Sequence, residues 1–112
     1  MILQILQYIG CGLTVATGLL SLFAPEKTVG FTGLSPQGGR GITEIRSVLG
    51  GMFIALGVAP FFLGEVAFTV LGISYLGIGI VRVISIFLDK SGTQSNWISV
   101  AFEFIFGVIL VL

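Results

Sequence analysis

The sequence predicts an all-α protein, an integral membrane antiparallel four-helix bundle. Three observations predict it. Hydrophobic residues make up 55% of the 112 residues and charged residues 9%, and the mean hydropathy is +1.15; a soluble domain this apolar could not cover its own surface. The apolar residues fall into four runs, each close to the roughly 20 residues that cross the hydrocarbon of a bilayer. Within each run, small or polar residues recur at alternating three- and four-residue steps, which keeps them on one helix face. The length allows one domain, residues 1–112.

The first span is expected over residues 3–23, closed by Pro25 and the polar pair Glu26–Lys27. The start has no basic region and its apolar run is long, so it reads as a retained helix rather than a cleaved signal. A segment rich in Gly and Pro follows to Gly41, and its apolar Val29, Phe31 and Leu34 suit a short helical turn in the interface. The second span is expected over 42–63, with Pro60 near its end, where lost backbone bonds matter least. Gly64 suits a C-cap in a very tight turn with Glu65. The third span is expected over 66–88, and the polar loop Asp89–Asn96 separates it from a fourth over 97–112. That last span is the shortest, about 24 Å at 1.5 Å per residue.

Lys27, Arg40 and Lys90 lie in the loops on one side, with Arg46 and Arg82 near that edge; the other side carries only Glu65. Lys and Arg gather on cytoplasmic loops. Loops 24–41 and 89–96 are therefore expected in the cytoplasm and both termini outside, in a multi-pass protein of the inner (cytoplasmic) membrane. Trp97 suits an interfacial anchor at the cytoplasmic edge.

Helices in lipid gain nothing hydrophobic from meeting each other, and associate through small residues and hydrogen bonds. The stripes Gln4, Gln7, Cys11, Thr14, Gly18, Ser21; Arg46, Gly50, Phe53, Gly57; Gly72, Tyr75, Gly79, Arg82, Ile86, Asp89; and Asn96, Ser99, Glu103, Phe106, Leu110 are expected to face inward. Gly18, Gly50, Gly51, Gly57, Gly72 and Gly79 are the expected close-approach points, and Cys11 a small packing residue.

Five charged residues lie at or just inside one edge of this bundle: Glu44, Arg46, Arg82, Asp89 and Glu103. An ionisable group in hydrocarbon costs about 2.5–3.5 kcal/mol on insertion scales and needs a partner or a task. Arg82 precedes Asp89 by two turns, about 10 Å of depth, and Glu103 follows Trp97 by about 9 Å. Arg82 and Glu103 are thus the first expected pair, with Arg46 sharing Glu44, Asp89 or Glu103. Two readings compete, and a proton-coupled role for Glu103 is a third. The layer is either a set of ion pairs locking the bundle, or the floor of a cavity in which the arginines hold a polar head while Tyr75, Phe53 and Phe106 line space for a tail or ring.

Histidine is absent and Cys11 is the sole cysteine. No Ser/His/Asp or Cys/His set exists, and Gly38–Gly39–Arg40–Gly41 lacks the Gly-Lys-Ser/Thr ending of a phosphate loop. An enzyme would have to run on Arg, Glu and Tyr alone, so a role without catalysis is expected, with no catalytic residue and no metal site. Zero net charge gives no sign of nucleic acid.

The run Thr43–Gly51 (TEIRSVLGG), preceded by Gly30–Pro36 (GFTGLSP) and followed by Val81–Asp89 (VRVISIFLD) and Glu103, resembles a family of small bacterial four-span membrane proteins described only as a domain of unknown function. More loosely, the chain is similar to DoxX-like four-helix membrane proteins, some of which are small subunits of redox systems. The resemblance implies fold and membrane location, and implies that Glu44, Arg46, Gly50, Gly51, Arg82, Asp89 and Glu103 are motif positions. It implies no reaction. Small multidrug transporters have similar dimensions, but carry their glutamate in the first span, where this chain has only Gln4, Gln7, Thr14 and Thr17.

The first expectation is therefore an accessory or structural subunit of a larger membrane complex, partnered by other membrane subunits or by copies of itself. The alternative is a binder or carrier of a small amphiphile at the Arg/Glu layer. No cofactor is expected beyond a bound lipid or quinone.

Overall fold

The four apolar runs satisfy their backbone hydrogen bonds internally, as helices. The computed structural model describes residues 1–112 apart from the side chain of Phe31. Four helices are long and apolar enough to cross a membrane: α1 (Ile2–Phe23), α2 (Gly38–Leu63), α3 (Glu65–Leu88) and α4 (Gln94–Val111). The described residues contain no strand. Antiparallel order is set by the contacts: Gly18 meets Ile54 while Gly57 meets Cys11, Gly72 meets Gly107, and Gln7 donates to the Ile109 carbonyl across α1 and α4. The termini therefore lie at the end that holds the Gly64 turn, and residues 24–37 and 89–93 lie at the other, here termed the charged end.

Local chemistry explains each boundary. A 3-10 turn, Pro25–Thr28, and one helical turn, Val29–Thr32, follow α1; Pro25 and Thr28 are buried, and the turn packs against α4. Val29 is half-buried and Leu34 exposed, whereas the Phe31 side chain, expected at the interface, lies outside the described residues. Helix α2 begins at Gly38 rather than Ile42, and an Arg40–Glu44 pair one turn apart ties its exposed first turns. Gly64 ends α2 at φ 72° and ψ −141°, backbone that glycine adopts readily, and its N–H reaches the Pro60 carbonyl at 2.9 Å. One residue thus makes the whole α2–α3 turn. At the end of α3, Lys90 is left-handed at φ 52°, and the Ser91 N–H returns to the Ile86 carbonyl at 3.0 Å, the closing bond of a Schellman motif. Helix α4 starts at Gln94, three residues before the expected Trp97, because Thr93 caps it: its Oγ1 accepts the Asn96 N–H at 3.3 Å.

Helix α2 is not a uniform α-helix. Ile45–Met52 is wound as a π-helix, with bonds from residue i to i+5. Ile45 and Gly50, five residues apart, are the buried positions there, and Arg46 is exposed. The expected α-helical stripe Arg46–Gly50–Phe53–Gly57 is therefore corrected at its first member. In the wider π turn Ile45, not Arg46, shares the face of Gly50.

The helices close in pairs at their glycines. A Cβ on Gly18 would stand 2.9 Å from the Gly50 carbonyl oxygen, and one on Gly57 2.9 Å from that of Cys11, so α1 and α2 pack backbone to backbone. A Cβ on Gly72 would stand 2.8 Å from the Gly107 oxygen, which does the same for α3 and α4. Gly50 faces Leu22 and Gly79 faces Phe104. Gly51 is a correction: it is exposed, and the nearest atom to its Cβ position is the Arg46 carbonyl oxygen, 4.0 Å away. Adjacent helical residues point in different directions, so only Gly50 of this pair meets α1. The sequence reading missed Gly10, against Phe106, and Gly107. Cys11, Phe68, Leu71, Tyr75 and Leu110 form the core, with Leu56, Phe102 and Phe106 around it. Gln4, at the open end of the α1 stripe, is exposed.

Candidate functional site

The site grows from the α3–α4 contact. Gly79 has no side chain, and its Cβ position lies 3.4 Å from the Glu103 Cβ. That close approach brings Glu103 alongside Arg82, one turn further along α3. The pair is bidentate. Arg82 Nε donates to Glu103 Oε1 at 2.8 Å and more weakly to Oε2 at 3.1 Å, and Nη2 donates to Oε2 at 2.8 Å. Planar guanidinium and carboxylate forks match in this way, which a lysine could not reproduce.

Asn96, in the first turn of α4, completes the arrangement. Its Oδ1 accepts from Arg82 Nη1 at 3.0 Å, while its Nδ2 donates to the Ser91 carbonyl at 2.9 Å. The loop between α3 and α4 is thereby tied to the ion pair. Asn96 lies on the same α4 face as Glu103, seven residues earlier, and that spacing was the available signal for its role. Burial is unequal: the Glu103 side chain is 8% exposed and that of Arg82 30%. Every buried side-chain nitrogen and oxygen among the described residues has a hydrogen-bond partner.

Arginine carries five N–H groups. Glu103 takes one from Nε and one from Nη2, and Asn96 takes one from Nη1. Two N–H groups are left without a partner among the described residues. Arg82 lines an open cleft of about 580 Å³ with Gly77, Ile78, Val81, Ser85, Asp89, Ser91 and Asn96. One side of the cleft is apolar and the other polar. Ile78 also walls a second, deeper cavity of about 240 Å³, lined by residues including Phe53, Leu56, Leu71 and Tyr75.

Tyr75 is buried and its hydroxyl pairs with Thr14 Oγ1, which itself donates to the Gly10 carbonyl at 2.8 Å. Tyr75 also stacks edge-on against Phe102, with ring centroids 5.6 Å apart. Tyr75 and Phe53 line the deeper cavity, whereas Phe106, expected beside them, packs against Phe102 instead.

The remaining charged residues do not join Arg82 and Glu103. Glu44 is exposed and pairs with Arg40. Arg46 is exposed, with no carboxylate within 4.0 Å among the described residues, so the expected sharing with Glu44, Asp89 or Glu103 is corrected. Asp89 is exposed at the end of α3 and lines the cleft without a cationic partner among the described residues. Trp97 is partly exposed at the charged end, edge-on to Phe87 at 6.2 Å.

No curated protein and no solved structure matches the chain. The family described as Domain of unknown function (DUF4345) matches residues 2–112, a span that takes in all four helices and every residue of the Arg82 site. The chain belongs to the DUF4345 family.

Proposed function

We propose that the protein is a multi-pass protein of the inner (cytoplasmic) membrane that acts as a small accessory subunit, without catalysis of its own. Loops 24–41 and 89–96 face the cytoplasm in this reading, because Lys27, Arg40 and Lys90 gather there and Glu65 alone marks the opposite end. The observation that carries the subunit role is Arg46. It lies one turn beyond Gly50, which faces Leu22 at the end of α1, and so stands at the rim of the charged end, exposed and without a carboxylate within 4.0 Å among the described residues. An exposed arginine at such a rim, unpaired within its own chain, presents its forked donors to an anionic group of a neighbour. A carboxylate or phosphate on a neighbouring subunit, or on a second copy of this chain, would answer it. The looser likeness to DoxX-like proteins, some of which are small subunits, agrees with this role.

The test is purification from native membranes in mild detergent, with photo-crosslinkers placed at Ser47 and Val48 beside Arg46. A stoichiometric membrane partner crosslinked at these positions, and lost on Arg46→Glu, is the expected outcome. A monodisperse chain without a partner, unchanged by Arg46→Glu, overturns the subunit role.

A further inference from the structure

The cleft on α3 presents opposite charges on one helix face. Arg82 and Asp89 are seven residues apart, two turns along α3, and both line it with Ser85 between them. We propose that this cleft holds one zwitterionic phospholipid with a primary ammonium head. The phosphate takes the two free Arg82 N–H groups and the Ser85 hydroxyl, the ammonium lies on Asp89, and an acyl chain follows Gly77, Ile78 and Val81.

Charge selects the zwitterion. Glu103 already neutralises Arg82. An anionic lipid would add a net negative charge beside Asp89, whereas a zwitterion adds none and supplies the cation that Asp89 lacks. A primary ammonium has three N–H donors for Asp89 and the Ser91 oxygens; a quaternary ammonium has none. Shape points to a lipid rather than to a free head group. The cleft is apolar at Gly77, Ile78 and Val81, and Ile78 continues into the wall of the deeper cavity. Gly77 keeps the floor clear, since a Cβ there would meet nothing within 4 Å.

The inference rests on the membrane location proposed above but not on the subunit role, and its test uses the purified full chain alone. The chain is placed in nanodiscs of mixed phosphatidylethanolamine, phosphatidylcholine and phosphatidylglycerol, released, and weighed with its retained lipid by native mass spectrometry. One phosphatidylethanolamine per chain is expected, favoured about tenfold over either competitor, as befits one charge-assisted hydrogen-bonded contact. Asp89→Asn should erase that preference with the melting midpoint unchanged. Gly77→Leu should fill the cleft and release lipid of every class. Soluble glycerophosphoethanolamine should fail to displace the lipid at equal concentration. Equal retention of the three lipids, a preference that survives Asp89→Asn, lipid retained in Gly77→Leu, or displacement by the soluble head group would each overturn the proposal.

Discussion

Arg82 grips Glu103 through the side edge of its guanidinium, Nε and Nη2 each 2.8 Å from a carboxylate oxygen, while the far nitrogen holds Asn96. The two partners differ in burial, 30% against 8% exposed side chain, and the difference sets the order of their mutational costs. Arg82→Ala leaves Glu103 unpaired inside the bundle and should cost about 3–5 kcal/mol. Glu103→Ala leaves an arginine that can turn its head toward the open cleft, and should cost roughly 1–3 kcal/mol. Replacing both residues together, Arg82→Met with Glu103→Leu, should recover most of the loss. Unfolding midpoints in detergent across this double-mutant cycle check the order; equal single costs that simply add would show that the ion pair does not couple α3 to α4.

Asn96→Leu removes the bridge from Arg82 to the Ser91 carbonyl. A part-buried hydrogen bond to a charged group costs about 1–3 kcal/mol when lost. The α3–α4 loop should also loosen, because Ser91 would then be held to the end of α3 mainly by its bond to Ile86. Amide exchange at Ser91–Thr93 should speed up in this variant while exchange at the Gly64 turn is unchanged.

The hydroxyls of Thr14 and Tyr75 are partners with unequal alternatives. Tyr75→Phe leaves Thr14 bonded to the Gly10 carbonyl and should cost about 1 kcal/mol. Thr14→Val strands the Tyr75 hydroxyl in the core and should cost more, about 1–3 kcal/mol. Thr14→Val combined with Tyr75→Phe should cost less than the sum. Thermal unfolding of the three variants in one detergent decides this.

Glycines divide by what surrounds them. Gly57→Ala drives a Cβ to 2.9 Å from the Cys11 carbonyl oxygen and 3.1 Å from the Val15 nitrogen, both backbone, so α1 and α2 must part. Overpacking of this kind costs about 1–3 kcal/mol. Gly12 and Gly77 have nothing within 4 Å of a Cβ position, and Gly12→Ala and Gly77→Ala should each stabilise the helix by roughly 0.5–1 kcal/mol. Opposite shifts in melting midpoint are expected, and a loss of stability in Gly12→Ala would place an unseen neighbour on that face of α1.

The apolar runs, the helix-breaking Pro25 and Gly64, and the polar loop Asp89–Asn96 already determine four helices and their order. They do so because runs of this length and apolarity carry few side chains that could satisfy stray backbone groups, so each backbone closes its own hydrogen bonds as a helix. Depth was legible in the same way: two turns back from Asp89 and two turns on from Trp97 bring Arg82 and Glu103 to one level, because an α-helix rises by a constant 1.5 Å per residue. Rotation about the helix axis was not. Arg46, expected at that depth, instead lies one turn beyond Gly50, which faces Leu22 near the end of α1, and it faces outward, because Ile45–Met52 winds as a π-helix and puts Ile45 on the face of Gly50. No residue pattern in that segment distinguishes a π turn from an α turn. Gly51 is exposed because adjacent helical residues point in different directions and only Gly50 of the pair meets α1. The cleft, the two free N–H groups of Arg82 and the hold of Asn96 on Ser91 also belong to the tertiary structure alone. They depend on how closely α4 approaches Gly79, a distance set jointly by side chains far apart in the chain.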